Sequence, residues 1–269
     1  MSSNKPILTK SRLKNDLTGL GLSPADTAML HVSVKAIGWI AGGPDVILQA
    51  ILEVLGKEGT LMMMVGWEDY PYYIKTWPEE KQKAYWEECP PFDPATSRAN
   101  REFSILAEYL RTWPGPTFRS RHPTCSCVAI GPKAEWLTSD HALQYGFGVH
   151  SPFAKLCEAG GKVLNIGASL DTLTILHHAE DQCNLPDKRI DRYQMPILVA
   201  GQRKWVKLEE YHTDEGIVDW EGQDYFELIA KAFIVERALP ESFVVAARSY
   251  LFDASDLVAF GKQCMEANF

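Results

Sequence analysis

The clearest chemical signal in the sequence is a row of polar side chains that follows a predicted strand. A run of apolar residues ends at Gly167, which favours a buried strand and then a turn. The spacing of apolar residues beyond this turn predicts a helix over 171–182. One face of that helix would present Thr174, His177 and Glu180, because residues three apart are neighbours on a helix surface.

His177 is a candidate general base, because the neutral form of an imidazole is well populated near neutral pH. His178 would point about 100° away from the same helix face. The alternative is that His177 only completes a hydrogen-bond network in the core.

A bound metal is the rival use of these side chains. The HExxH pattern is absent, and His177 with Glu180 offers a single pair of ligands. Structural zinc takes four ligands, often cysteines, and the spacing of cysteines and histidines indicates no such cluster. We therefore expect no metal, and a metal-dependent hydrolase is the alternative class of enzyme.

The second signal is a concentration of negative charge near the C-terminal end. The stretch 209–227 holds eight acidic residues and no lysine or arginine. These acids are Glu209, Glu210, Asp214, Glu215, Asp219, Glu221, Asp224 and Glu227. Tyrosine and tryptophan are interleaved with them, and Glu68-Asp69 has similar aromatic neighbours. This pattern favours a site for an amine-rich cation; the alternatives are a solvated acidic loop and a non-catalytic binding module for polycationic ligands.

The third signal is a set of hydroxyl and basic groups beside predicted strands. Ser33 and Lys35 follow the first strand, and Arg119 and Ser120 precede another. Such groups suit phosphate oxygens. Neither GxGxxG nor GxxxxGK[ST] is present, so a Rossmann fingerprint and a P-loop are both excluded, and no GxSxG elbow favours an α/β-hydrolase.

Composition narrows the choice of partners and compartment. The chain has 269 residues, and its 27 basic and 35 acidic residues give a formal net charge of −8. That balance argues against nucleic acid or an anionic membrane as the main partner. The six cysteines include no CxxC pair, the N-terminus has no apolar segment of a signal peptide, and no apolar run could span a bilayer. We expect free thiols and a cytoplasmic protein.

Alternating strand and helix signals predict one α/β domain over residues 1–269, with a central mixed sheet flanked by helices. Strands are predicted near 28–32, 60–65, 125–130 and 162–167, and a hairpin near 193–208. Helices are predicted over 8–20, 45–55, 102–110, 226–235 and 254–268. Residues 66–100 show little periodicity and predict a long functional loop.

Short motifs of distinctive composition are spread over about residues 8 to 265. They are Met29-Leu30-His31-Val32-Ser33-Val34-Lys35-Ala36-Ile37-Gly38, Gly42-Gly43-Pro44, Gly59-Thr60-Leu61-Met62-Met63, Pro91-Phe92-Asp93-Pro94-Ala95-Thr96, Leu110-Arg111-Thr112-Trp113-Pro114, Arg119-Ser120 with His122-Pro123, Tyr145-Gly146 with Ser151-Pro152, and Leu170-Asp171-Thr172 through Leu176-His177-His178-Ala179-Glu180. Together they resemble the aminoglycoside 3-N-acetyltransferase family of antibiotic-resistance enzymes, and many motifs in the right order are more specific than any one of them.

The resemblance implies transfer of an acetyl group from acetyl-CoA to the 3-amine of a 2-deoxystreptamine ring. It implies an α/β fold unlike that of the common N-acetyltransferase superfamily, and a monomer or homodimer. His177 would be the general base and Glu227 the carboxylate that orients it, with direct transfer in a ternary complex. Thr174 or a backbone N–H would stabilise the oxyanion.

The resemblance also implies which residues hold each substrate. The CoA arm would lie near His31, Ser33, Val34, Lys35, Ser104, Arg119 and Ser120. The antibiotic would be held by Glu68, Asp69, Asp171, Glu180, Asp214 and Glu215. The chain departs from the family pattern at His212, where relatives often carry Asp, and Asp214 with Glu215 would stand in for that carboxylate.

Overall fold

The computed structural model describes residues 8–71, 73–214, 216–220 and 224–269. Its strands are β1 (Thr27–Val32), β2 (Thr60–Met64), β3 (Phe118–Arg119), β4 (Cys127–Ile130), β5 (Lys162–Ile166), β6 (Ile190–Val199), β7 (Gln202–Tyr211), β8 (Ser242–Val244) and β9 (Ala247–Asp253). Seven of them form one sheet in the order β3-β4-β2-β1-β5-β9-β8. Strand β1 is parallel to β2 and β5, and the other neighbours are antiparallel.

Helices cover both faces of this sheet. They are α1 (Lys10–Gly19), α2 (Val34–Ile37), α3 (Asp45–Leu55), α4 (Glu79–Glu88), α5 (Ile105–Arg111), α6 (Ala134–Thr138), α7 (Pro152–Glu158), α8 (Leu176–Gln182), α9 (Tyr225–Glu236) and α10 (Ala254–Asn268). Successive strand residues point to opposite faces, so Met29 enters one apolar core and Leu30 the other. Helices α1, α3 and α5 pack into the core of Leu30, and α6 to α10 into that of Met29.

The predicted α/β fold with a central mixed sheet is confirmed, and so are most of its predicted elements. Two local predictions are wrong. Helix α4 lies within the segment 66–100, and it buries none of its residues, so it leaves no apolar stripe to detect. The helix predicted from residue 171 begins at Leu176 instead, after a 3-10 turn over Leu170–Thr172. The prediction of one domain over 1–269 stays a prediction, since residues 1–7 lie outside the described part.

Strands β6 and β7 form a separate two-stranded hairpin. Its turn is Ala200-Gly201, with φ angles of 49° and 76°, which fits the positive-φ turn that matches strand twist. Met195 and Leu208 of the hairpin pack with Trp67 and Phe92 in a small apolar cluster. The hairpin therefore fixes the segment that follows β2 over one end of the sheet. None of the helices in the described ranges is long and apolar enough to cross a bilayer.

We expect Gly167→Ala to lower the free energy of unfolding by about 1–3 kcal/mol. Gly167 ends β5 with φ at +64°, and an added Cβ would lie 2.6 Å from that of Ala36 and 2.9 Å from that of Ala247. Gly19→Ala is the control, because a Cβ there meets nothing within 4 Å and alanine favours the helix. Urea titration measures both; equal stabilities of the two variants would contradict the role of Gly167.

Candidate active site

The carboxyl ends of the three parallel strands β1, β2 and β5 meet at one edge of the sheet. In open α/β sheets this is where ligands bind, because the loops that follow neighbouring strands surround a crevice there. The crevice here has a volume of about 720 Å³, and we call it the larger cavity. Its walls include Ser33 and Lys35 after β1, and Ser169 and Asp171 after β5.

A second cavity of about 440 Å³ adjoins the first and has a different character. It is lined by the carboxylates of Asp171, Glu180, Asp214, Asp219 and Asp224 together with Arg189 and several aromatic side chains. Asp171, His177, Thr213 and Asp214 line both cavities. The imidazole of His177 therefore stands at the boundary between a crevice with hydroxyl and lysine groups and an acidic pocket.

The ring of His177 is held firmly in this position. Phe147 and Phe226 contact it from two sides, each with a ring-centroid distance of 4.7 Å. Its Nδ1 donates to Oε2 of Glu180 over 2.5 Å. Because that bond fixes the proton on Nδ1, the basic nitrogen is Nε2. The side chain of His177 keeps 16% exposure, while that of Glu180 keeps 1%.

The carboxylate partner of His177 is therefore Glu180, and the predicted pairing with Glu227 is wrong. Glu227 lies in the first turn of α9, where its carboxylate pairs with Nζ of Lys231 at 2.8 Å on the exposed side of the helix. Its neighbour Phe226 is the residue of this helix that contacts the imidazole. Residues three apart on one helix share a face, so helix geometry by itself brings the carboxylate of Glu180 to His177.

Thr174 and His178, two other polar residues of the predicted helix, have different surroundings in the structure. Thr174 precedes α8, where its hydroxyl donates to the carbonyl of Thr172 and its side chain lines the larger cavity. His178 is buried, and its Nδ1 donates to the carbonyl of Phe147 over 2.6 Å. Burial lowers the pKa of His178, so its ring is neutral and structural. The prediction that His178 points away from His177 is confirmed.

Five of the seven residues predicted near a cofactor line the larger cavity, namely His31, Ser33, Val34, Lys35 and Ser104. Ser33 and Ser104 also cap α2 and α5, where each hydroxyl accepts a backbone N–H. Nε2 of His31 is buried without a hydrogen-bond partner in the described part of the chain. Burial lowers the pKa of His31 to about 4, so it is neutral at pH 7.

Arg119 and Ser120 do not reach this cavity, so their predicted role at a cofactor is wrong. The side chain of Arg119 is partly buried, and its guanidinium donates to the carbonyls of Ser97 and Gly66 and to Oγ of Ser126. Ser120 is fully buried and accepts the backbone N–H of Cys127. Both side chains hold loops together, because a buried donor must be paired within the protein.

Only some of the acids predicted to bind a substrate line the acidic pocket. Asp171, Glu180 and Asp214 line the acidic pocket. Glu68 instead pairs with Arg101, and Asp69 lines neither cavity, so the structure does not bring these two to the site. Glu215 lies outside the described residues. His212 pairs with Asp191 at 2.5 Å and lines neither cavity, whereas Asp214 does line both.

Several site residues were missed by the sequence reasoning. Phe147 comes from a loop far from His177 in the chain, and no local pattern marks it. Arg101 and Glu102 line the larger cavity from a 3-10 turn, although Glu102 was predicted to begin a helix. Asp219 and Asp224 lie in the acidic stretch and line the acidic pocket. The high number of acids there indicated a cation site, but the sequence did not indicate which of these acids would line it.

One group of His and Cys side chains in the described ranges is close enough for a metal: His122, Cys125 and His141. This group offers three ligands, one fewer than the four of a structural zinc site. Cys125 Sγ lies 3.0 Å from Nδ1 of His122, and Nε2 of His141 donates to the carbonyl of Gly146 over 2.7 Å. Burial raises the pKa of Cys125, so its thiol is a donor. Hydrogen bonds within the protein account for this arrangement.

Comparison with known proteins agrees with this architecture. A family model described as aminoglycoside 3-N-acetyltransferase matches residues 29–266. The chain belongs to this family. The resemblance noted in the sequence is thereby confirmed, and with it the prediction that the chain is an acetyl-CoA-dependent enzyme.

Individual relatives match over nearly their whole length. Aminoglycoside N(3)-acetyltransferase III of Pseudomonas aeruginosa is 46% identical over 97% of this chain and 94% of its own length. The solved structure of AAC-IIIb in a binary complex with CoASH has a TM-score of 0.89 at 41% identity, covering 98% of each chain. AAC-VIa bound to sisomicin has a TM-score of 0.91 at 35% identity, covering 98% of this chain and 99% of its own.

We expect Arg119→Lys to lower the free energy of unfolding by about 2–4 kcal/mol, because an ammonium cannot replace the guanidinium fork at three buried acceptors. Lys35→Gln is the control, since Lys35 is exposed on the wall of the larger cavity and its loss should change stability by less than about 0.5 kcal/mol. Thermal and urea unfolding measure both. A stable Arg119→Lys variant would return Arg119 to the list of ligand-binding candidates.

Proposed function

We propose that this protein transfers the acetyl group of acetyl-CoA to the 3-amine of the 2-deoxystreptamine ring of aminoglycoside antibiotics, and so confers resistance to them. The observation that carries the proposal is the position of His177 between two cavities of opposite character. A thioester on one side and an amine on the other could meet beside its imidazole.

The larger cavity suits acetyl-CoA. Lys35 offers a cation, and Ser33 and Ser104 offer hydroxyl groups on its wall. Such groups suit the phosphates and the amide-rich arm of a coenzyme. The relative of similar fold that was solved with CoASH supports this assignment.

The acidic pocket suits the antibiotic. Its carboxylates would bind the several ammonium groups of an aminoglycoside, and Trp220 and Phe226 offer apolar surface for its rings. The relative of similar fold solved with sisomicin supports this assignment. A pocket of this composition favours a polycation over neutral sugars of the same size.

We infer direct transfer in a ternary complex, which this arrangement supports. The 3-ammonium group first loses one proton to water, and Nε2 of His177 then accepts a second proton from the amine nitrogen as it attacks the thioester carbonyl. The new C–N bond forms, the C–S bond breaks, and the imidazolium returns the proton to the departing thiolate of CoA. Glu180 stabilises the imidazolium during the step. Thr174 or a backbone N–H at the cavity wall would donate to the oxyanion.

The cytoplasmic location and the choice between monomer and homodimer stay predictions.

Acetylation is expected on the 3-amine. Asp171 and Asp214 line both cavities together with His177, so their carboxylates would hold the deoxystreptamine ring against the base. NMR of the isolated product identifies the acylated nitrogen. Acetylation of the 6′-amine would contradict the proposed function.

His177→Ala should lower kcat about 10² to 10⁴-fold, with little change in antibiotic affinity, because the base is lost while the carboxylates remain. His178→Ala is the matched control: it removes a buried ring on the same helix, so it should lower the thermal midpoint yet keep kcat within about tenfold per folded enzyme. Release of CoA thiol measures the rate and calorimetry the affinity. The assignment fails if His178→Ala proves the slower enzyme.

A further inference from the structure

We propose that Tyr225 is a positioning residue for the catalytic base: its hydroxyl fixes the carboxylate of Glu180 and thereby couples the acidic stretch after β7 to His177. This inference rests on the proposed function of His177. Tyr225 belongs to none of the sequence motifs; it is one of several aromatic residues interleaved with the acids of 209–227.

The contacts of Tyr225 define the relay. Its hydroxyl donates to Oε1 of Glu180, while Oε2 of Glu180 accepts Nδ1–H of His177 at 2.5 Å. The same hydroxyl accepts the backbone N–H of Ile217 over 3.0 Å. Tyr225 is 5% exposed and Glu180 1%. Each oxygen of a buried carboxylate is therefore paired, which fixes the plane of the group and the ring that it holds.

The direction of the Tyr225–Glu180 bond follows from protonation. Burial, and next the charge of Glu180, raise the pKa of Tyr225 far above its ordinary value. The hydroxyl therefore stays protonated at any working pH and acts as a donor to the carboxylate. Its donation draws negative charge away from the oxygen that faces His177, which tempers the proton affinity of the imidazole.

The backbone of the acidic stretch is fitted closely to this hydroxyl. Gly216 has a φ of +77°, and an added Cβ would lie 2.4 Å from the tyrosine oxygen. Ile217 follows it and supplies the N–H donor. Asp214 and Asp219 on either side line the acidic pocket. A ligand that orders these carboxylates therefore acts on the donor that orients Tyr225.

Other charged groups surround the relay and remain the same in every variant. Asp171, Arg189, Asp214, Asp219 and Asp224 face it across the acidic pocket, Lys188 donates to the backbone carbonyl of Glu180, and Cys183 lies near Tyr225 and Glu180. A shift of the pH profile on removal of the Tyr225 hydroxyl can therefore be attributed to that hydroxyl and not to a change in the surrounding charges.

Tyr225→Phe is the test, measured as the pH profile of kcat/KM with one aminoglycoside. Loss of the donor leaves more negative charge facing the imidazole, so the imidazolium is stabilised. We expect the acid limb to move to higher pH by about 0.5–1 unit. We expect kcat to fall about tenfold with KM for the antibiotic within twofold. Glu180→Gln should move the acid limb to lower pH, because it removes the carboxylate that stabilises the imidazolium.

Tyr145→Phe is the matched control. Its hydroxyl donates to a carboxylate oxygen of Glu209 over 2.5 Å, and neither residue lines either cavity. The same kind of bond is lost away from the base, so the pH profile should stay in place. If Tyr225→Phe fails to fold, 3-fluorotyrosine at position 225 replaces it; a stronger donor should move the acid limb a few tenths of a pH unit to lower pH.

The relay is overturned if the acid limb of Tyr225→Phe stays in place, if it shifts no more than that of Tyr145→Phe, or if fluorination leaves it unmoved. A rise in KM with unchanged kcat would also overturn it, since that marks a substrate contact. Failure of the proposed function is a separate outcome, identified by a His177→Ala variant that retains its kcat.

Discussion

The buried carboxylate of Glu180 is the constraint around which the site is organised. A carboxylate that is almost entirely removed from water must be paired, and its two oxygens are taken by Nδ1 of His177 and by the hydroxyl of Tyr225. This pairing explains why His177 has one defined tautomer and one orientation. Helix α8 carries both His177 and Glu180, and it packs with α9 and α10 in one apolar core.

The sheet supplies the second requirement, which is a crevice beside that imidazole. Parallel pairing of β1 with β2 and β5 brings three carboxyl ends to one edge, so the turns after these strands form the walls of the larger cavity. Gly167 allows the chain to leave β5 with a positive φ, close against Ala36 and Ala247. The residues that follow it then pass directly along the crevice toward His177.

Charge is divided between the two cavities by the same architecture. Lysine and hydroxyl groups come from the segments after β1 and before α5, whereas most carboxylates of the acidic pocket come from the stretch between β7 and α9. Two described acids of this stretch that line neither cavity are paired within the protein: Glu209 with Arg192 and Tyr145, and Glu227 with Lys231. The acidic stretch is therefore part structural support and part binding surface.

The fold class and the family could be predicted from the sequence alone, and the sequence also singled out His177 as the candidate base. Strand and helix periodicity is local, and motifs in order carry the family signal, so neither needs the tertiary structure. The spacing of His177 and Glu180 likewise placed them on one helix face, because helix geometry fixes which near neighbours meet.

Tertiary structure was needed to establish which carboxylate pairs with His177 and which polar groups line a cavity. Glu180 and Glu227 are equally suitable in charge, and burial against Tyr225 distinguishes them. The charge of Arg119 suits a phosphate ligand, but in the structure its guanidinium donates to the carbonyls of Ser97 and Gly66. Phe147 and Tyr225 reach His177 or its partner from loops and helices distant in the chain. Such contacts arise from packing between elements, and no local sequence pattern encodes them.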